Sequence, residues 1–479
     1  MSMLSVTPSL NLLNKDQIER IHHDSLEILA TTGIRVDSPK AVALFKKFSC
    51  RVENKSQVFP EKELIEWAIK KAPSSVDIYS RTGQKSFTLG PGITKEQQNQ
   101  TRFGIGVTNL HYQDPITDKT TPFTLDHMEI ATRLGDALEE FDVISTPGIA
   151  RDLPPESADL HAGLAMMANT KKPLVLLVSE SNCFEPLLEM FETLHGELNK
   201  KPFVIPYFNP ITPLVINQET SDKIMATAIR GMPFIYNNYG MSGATAPITP
   251  GATLTLLNAE LLAGILFSQI VKEKTPVIAG SLPAGFDMKK MMSLYTPHTM
   301  LINLGCAEMM HHYGIPHSGT SGSGPGWGPD LLAGNCFWMN HLTSIMGKVG
   351  LCPFVGGNFD SMAFSPGAVV YANEVIRMSR IFAAGFSIDN KDVPLDEIKS
   401  IGSAGNFLMA PSTGKRFREF RLESPIWESL TLDEWQEKEM PKSGKILRKY
   451  TDDLIKKALP PDDHDEIMEK GRLFITGRF

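Results

Sequence analysis

KPFVIPYFNPITPLVINQETSDKIMATAIRGMPFIYNNYG, residues 201–240, holds one complete structural step. Its first apolar run, Phe203–Phe208, shows no polar alternation, which suits a strand buried on both faces. Asn209-Pro210 ends that run as a turn. A helical stretch follows, and Pro233–Tyr236 opens the next apolar run. Working outward, the step recurs at Asp142–Pro147 and Pro173–Val178 before this unit. It recurs at Pro276–Gly280, Ile315–Gly319 and Pro353–Gly356 after it. The repeat, roughly thirty to forty residues, is the size of a βα unit. An eighth strand is expected near Phe386–Ile388. The expected fold is α/β, a TIM-type (βα)8 barrel over residues 125–410. A doubly wound sheet would need a phosphate-binding fingerprint after its first strand, and none is written there.

The flanks read differently. Residues 1–124 form an N-terminal extension. Its first helix carries Ile18, Ile21, Leu26, Ile28 and Leu29 at helical spacing after the cap Asn14, and Gly33 ends it. Further helices are expected near Pro39–Phe48 and Pro60–Lys71. Thr101–Thr120 reads as a hairpin turning at Asp114-Pro115. Residues 411–479 form a helical tail packed on the barrel.

Composition narrows the function classes. The 479 residues are 42% hydrophobic and 21% charged, with a net charge of -7, so the chain is an ordinary acidic globular protein. No basic run marks a nucleic-acid or anionic-membrane surface. Neither a signal peptide nor a membrane-spanning stretch is read. Five scattered cysteines, an odd number without a CxxC pair, argue for a reducing cytoplasm rather than a disulfide framework.

Several stretches resemble the trimethylamine methyltransferase superfamily, in its branch without pyrrolysine that includes glycine betaine methyltransferases. They are IHHDSLEILATTGIRVDSP (Ile21–Pro39), HYQDPITDKTTPFTLDHMEIATRLGDAL (His111–Leu138), YFNPITPL (Tyr207–Leu214), MSGATAPITPGATLTLLNAELLAGI (Met241–Ile265) and LGCAEMMHHYGIPHSGTSG (Leu304–Gly322). GSAGNFL (Gly402–Leu408) and LDEWQEK (Leu432–Lys438) in the tail match too. The resemblance implies a TIM-type barrel and methyl transfer to the Co(I) of a corrinoid held by a separate protein, with no cofactor bound by the chain itself. The sequence departs from the family at GTSGSGPGWGPDLLAGNCFWMN (Gly319–Asn340) and at FVGGNFDSM (Phe354–Met362). Charged residues expected after the GTSG-like loop are replaced there by Gly, Pro and Trp327.

Methyl transfer is a displacement, and a quaternary nitrogen leaves as a neutral amine without further activation. No pyrrolysine is present to activate a tertiary one. A quaternary amine is therefore the expected substrate. Having no N–H, it is held by aromatic faces, carbonyl dipoles or carboxylates. The expected substrate-binding residues are Tyr207, Asn209, Tyr239, His317, Trp327 and Phe354. Small residues at Gly243, Thr245, Gly319, Thr320, Ser321 and Gly322 are expected to face the corrin. No acid–base catalytic residue is expected. His311, His312 and His317 lack Cys or carboxylate companions at zinc spacing, so no metal site is read. Expected partners are the corrinoid protein, the amine and a second copy of the chain. The alternative is a protein on the same barrel that binds or senses a quaternary amine after losing catalysis.

Overall fold

The computed structural model describes residues 5–91, 101–106, 108–320, 322–389 and 392–478. Its centre is a curled, seven-stranded, all-parallel sheet. The strands are β1 (Arg102–Ile105), β2 (Val143–Ser145), β3 (Leu174–Leu176), β4 (Val204–Phe208), β5 (Phe234–Asn238), β6 (Val277–Ser281) and β7 (Leu351–Val355). Their spatial order is β6-β5-β4-β3-β2-β1-β7. The helices between them are α1 (Leu125–Ala137), α2 (Pro155–Asn169), α3 (Ser181–His195), α4 (Gln218–Arg230), α5 (Pro250–Val271), α6 (Pro297–Tyr313) and α7 (Leu331–Met346), with α8 (Pro366–Ala384) following β7.

Local chemistry sets these boundaries. Asn217 caps α4 by accepting from the Thr220 N–H, and Thr296 opens α6 in a capping box with Thr299. Gly231 and Gly314 end α4 and α6 in left-handed conformations, turning the chain back to the sheet.

The edges of the sheet are β6 and β7, and the segment 316–319 runs between them. On one side Ala279 N donates to Pro316 O at 2.9 Å and Ser318 N to Ala279 O at 3.2 Å. On the other, Leu351 N donates to His317 O at 3.0 Å and Gly319 N to Leu351 O at 2.8 Å.

Three expectations are corrected. Phe386–Ser387 does not supply an eighth barrel strand; it pairs antiparallel with Ser5–Val6 in a separate two-stranded sheet. Arg102–Ile105 is not one arm of a hairpin but β1, seated between β2 and β7. The hairpin that does turn at Asp114-Pro115 is shorter, His111–Gln113 against Thr120–Pro122. The sequence also hides a membrane-like helix. α5 is long and apolar enough to cross a bilayer, but it lies buried in the molecule, packed on α6, β5 and β6 and on the N-terminal helices.

One element was not foreseen. The hairpin Val76–Tyr79/Lys85–Leu89 stops the amino-terminal end of the sheet. Tyr79 N donates to Pro202 O and Arg81 N to Lys171 O, just ahead of β4 and β3. Its Val76, Ile78, Phe87 and Leu89 pack against Val143, Val175, Ile205, Ile235, Ile278 and Leu351 from inside the curl. That leaves the carboxyl ends of the strands as the open end.

Candidate functional site at the carboxyl ends of the strands

Register decides which side chains face inward. Residues paired across parallel strands share a face, and successive residues alternate. Val175 pairs with Ile205, and Tyr207 with Ile235, so these line the inside. Asn237 pairs with Gly280 and is inward too. Ser318 bridges to Leu351 and joins them. Phe208, Tyr236 and Asn238 therefore face the helices.

The inner face changes character toward the carboxyl end. Tyr207 and Phe354 meet edge to face, ring centres 4.9 Å apart at 80°. Among the described residues the Tyr207 hydroxyl makes no hydrogen bond of good geometry, the Asn209 side chain being its polar neighbour. Burial pushes its pKa far up, with the neighbouring Asn209 side chain opposing the shift. Asn237 donates to Ser318 Oγ at 3.3 Å, but among the described residues its Oδ1 accepts nothing. Asn109, just beyond β1, is fully buried; its Nδ2 donates to Pro147 O at 2.8 Å and, among the described residues, its Oδ1 is also unpartnered. Buried polar atoms without partners are costly, of order 1–3 kcal/mol each, and three at one end of a sheet mark a place for a ligand.

Above this layer stand Tyr239, Tyr295 and Asp360. The Tyr295 hydroxyl lies beside Tyr239 and Ser361 and feels the charge of Asp360; its pKa is raised well above normal, chiefly by burial. Tyr295 remains partly accessible although crowded by protein atoms, as expected in a cleft. Asp360 sits at the turn of the hairpin Gly357–Asn358/Ala363–Phe364. Phe359, Asp360 and Ser361 hold φ of 50°, 54° and 70° in succession. Three consecutive non-glycine residues in this region store strain of about 1–3 kcal/mol each, which surrounding contacts must hold. Asp360 N donates to Gly324 O, and Phe359 N to Gly326 O, tying the turn to the 319–330 loop. Among the described residues the Asp360 carboxylate has no ion-pair partner, and burial raises its pKa to about 6.

The expected site residues divide. Tyr207, Asn209, Tyr239 and Phe354 fall on or above the inner face. His317 does not: it pairs with Ala279 and so faces the helix layer, where burial holds its pKa down to about 3 and the ring neutral. Trp327 lies on the rim loop and is 66% exposed. Its backbone oxygen accepts from Gln113 Nε2 at 2.6 Å. Sequence reasoning passed over Asn109, Asn237, Tyr295 and Asp360. The signal for Asn237 was an amide pair inside an apolar run, FIYNN.

Packing also bears on the small residues expected to face a corrin. A Cβ on Gly319 would lie 2.4 Å from Asn303 Oδ1, and one on Gly322 would lie 2.5 Å from the Val355 Cα. Internal packing therefore demands glycine at both. Thr320 is held by Asn303 through both amide atoms, and Thr245 Oγ1 accepts from Met241 N. Gly243 adopts φ of 92° in a half-buried turn. Ser321 lies outside the described residues.

Glu260, on α5, belongs to the outer face. It accepts from Thr212 Oγ1 at 2.8 Å, Leu214 N at 2.6 Å and Asn238 Nδ2 at 2.8 Å. It thereby fixes the loop that begins at Asn209. Burial raises its pKa to about 7 against these three hydrogen bonds. An open groove of about 1030 Å³ is lined wholly by tail residues, Trp427, Trp435 and Tyr450 among them, and none of the residues above reaches it.

An α/β enzyme with its polar residues gathered at the carboxyl ends of a curled parallel sheet is the class these features define. The chain belongs to the trimethylamine methyltransferase family, whose family model matches residues 2–478, and it is a methyltransferase. It is similar to the trimethylamine methyltransferase of Desulfitobacterium hafniense, 29% identical over 408 residues, covering 84% of this chain and 81% of that one. A glycine betaine methyltransferase of the same species is 25% identical over 482 residues, covering 99% and 98%. The crystal structure of the monomethylamine methyltransferase of Methanosarcina barkeri shares the fold, with a TM-score of 0.52 at 11% identity over 97% of this chain and 88% of that one.

Proposed function

We propose that this methyltransferase moves a methyl group from a quaternary amine to the Co(I) of a corrinoid carried by a separate protein. The observation that carries the reading is the aromatic inner wall, Tyr207 against Phe354, topped by Tyr239 and Tyr295. Aromatic faces contribute roughly 0.5–2 kcal/mol each to a bound ammonium. The end-to-end match to a glycine betaine methyltransferase supports the same substrate type. In the displacement, the carbon–nitrogen bond breaks, its electron pair stays on the departing tertiary amine, and the cobalt supplies the pair for the new bond to carbon. The chain's part is positioning and exclusion of water. No proton moves, so no general acid or base is assigned.

The sheet works in this reading as a closed (βα)8 barrel, supported by the four backbone hydrogen bonds of segment 316–319. The extension would then end ahead of Arg102, and the tail would begin near residue 411. Five free, buried cysteines favour a reducing cytoplasm. The partner's corrin would dock over the open end, whose rim exposes Ile248, Met288, Met291, Phe359 and Met362.

Purified protein, a cognate corrinoid protein reduced to Co(I) and a panel of quaternary amines test this by absorbance. Methyl-cobalt formation with a quaternary amine, and not with trimethylamine, is expected. Tight binding without transfer would instead favour a binding or sensing protein.

A further inference from the structure

The cleft described above carries charge of one sign. Asp360 is held in it by a strained turn, and no cation among the described residues pairs with it. At the carboxyl end of β3, Lys223 is already engaged. Its Nζ donates to Val178 O at 3.0 Å, and it is surrounded by the charges of Glu219, Asp159 and Glu180. It is not free to receive a substrate carboxylate. Lys289 and Lys290 lie on an exposed hairpin tip whose N–H groups turn back on Asp287.

Two of the polar atoms left unpartnered here, among the described residues, are amide oxygens. The amide of Asn109 cannot be turned over, because its Nδ2 donates to a carbonyl that could not donate in return. Its buried Oδ1 is thus an acceptor awaiting a donor, as is the Oδ1 of Asn237 while Nδ2 serves Ser318. The turn holding Asp360 lies close by: a Cβ on Gly357 would lie 3.3 Å from Asn109 Oδ1 and 2.9 Å from the Ser361 Cα. A carboxylate brings only acceptors, and it would meet the charge of Asp360 as well. A hydroxyl brings the missing proton.

Resting on the quaternary-amine reading, we propose that the substrate is a hydroxyalkyl quaternary ammonium, choline-like, rather than a carboxylate-bearing betaine. Asp360 is the counter-charge for its nitrogen, and Asn109 and Asn237 accept from its hydroxyl. Tyr207, Tyr239 and Tyr295 supply the apolar faces around the methyl groups. Asp360 is thereby the specificity-determining residue: it favours a net cation over a zwitterion.

The test is calorimetric binding and methyl-corrinoid formation with choline, tetramethylammonium, carnitine and glycine betaine, for wild type and D360N. Asparagine tolerates the left-handed backbone, so the turn is kept, and thermal unfolding checks that it is. Wild type is expected to take choline best, with the two carboxylate compounds at least about tenfold weaker. D360N should weaken choline and tetramethylammonium by about tenfold or more and narrow the gap to glycine betaine. N109A should weaken choline but not tetramethylammonium, which has no hydroxyl. Preference for glycine betaine by wild type, or unchanged choline affinity in a folded D360N, overturns this proposal and leaves the quaternary-amine reading standing. Binding of none of the four compounds overturns that reading as well.

Discussion

At the amino-terminal end of the sheet, Ile205, Ile235, Ile278 and Leu351 close on Ile78 and Phe87 of the hairpin without leaving a polar atom among them. A few ångströms along the same strands, Tyr207, Asn237 and Ser318 take the same inward positions and, among the described residues, leave two polar atoms unpartnered. The backbone architecture is common to both ends, and only the side chains differ. One end is filled for stability; the other keeps groups that water or a ligand must satisfy. The contrast separates what folds the chain from what it binds.

The sharpest way to break the comparison is at the plugged end. Phe87→Ala removes a buried ring and should cost about 3–5 kcal/mol of stability by chemical denaturation. KM for the amine should stay the same, and a large change in KM would mean the two ends are not separable. At the open end, Tyr207→Ala should raise KM or Kd for the amine by about tenfold, with a smaller stability loss than Phe87→Ala. A variant that binds normally would remove Tyr207 from the wall.

Two pH effects sharpen the same contrast. Asp360 is lifted to about 6, so affinity for a cationic substrate should fall as pH drops through 6 and the carboxylate is neutralised. In the D360N protein that dependence should vanish. Glu260 is lifted from 4.5 to about 7 in the folded chain, so the folded state holds the extra proton between those values. Stability from this group is therefore greatest at the acid side and declines as pH rises from 4.5 toward 7. Glu260→Gln should flatten that part of the profile, read by thermal unfolding across pH. The smallest effect is expected at Trp327. Because its ring is exposed, Trp327→Ala should leave amine binding unchanged by calorimetry.

The parallel strands were legible because burial on both faces writes continuous apolar runs, such as VIPYF and FIYNN. β1 was not, because RFGI is short and contains a glycine that close packing requires: a Cβ on Gly104 would lie 2.4 Å from Val143. It therefore read as part of the hairpin that follows. The plug was missed because its strands alternate in burial like any surface hairpin, and only tertiary contact shows what they cover.

At the site, aromatics at strand ends were recoverable from the sequence, and Tyr207, Tyr239 and Phe354 lie on or above the inner face. The face of His317 was not recoverable, since the short bridged segment carries no alternation long enough to read. Asp360 was quoted within FVGGNFDSM, but its lack of a partner is a fact of three dimensions.

The most direct test of the central claim mixes the purified methyltransferase with choline, glycine betaine or trimethylamine and a corrinoid protein held at Co(I), and follows the cobalt spectrum. Conversion to methyl-Co(III) with a quaternary amine, abolished or strongly slowed in Tyr207→Ala, is the predicted result. Methylation from trimethylamine alone, or transfer indifferent to Tyr207, would contradict the account.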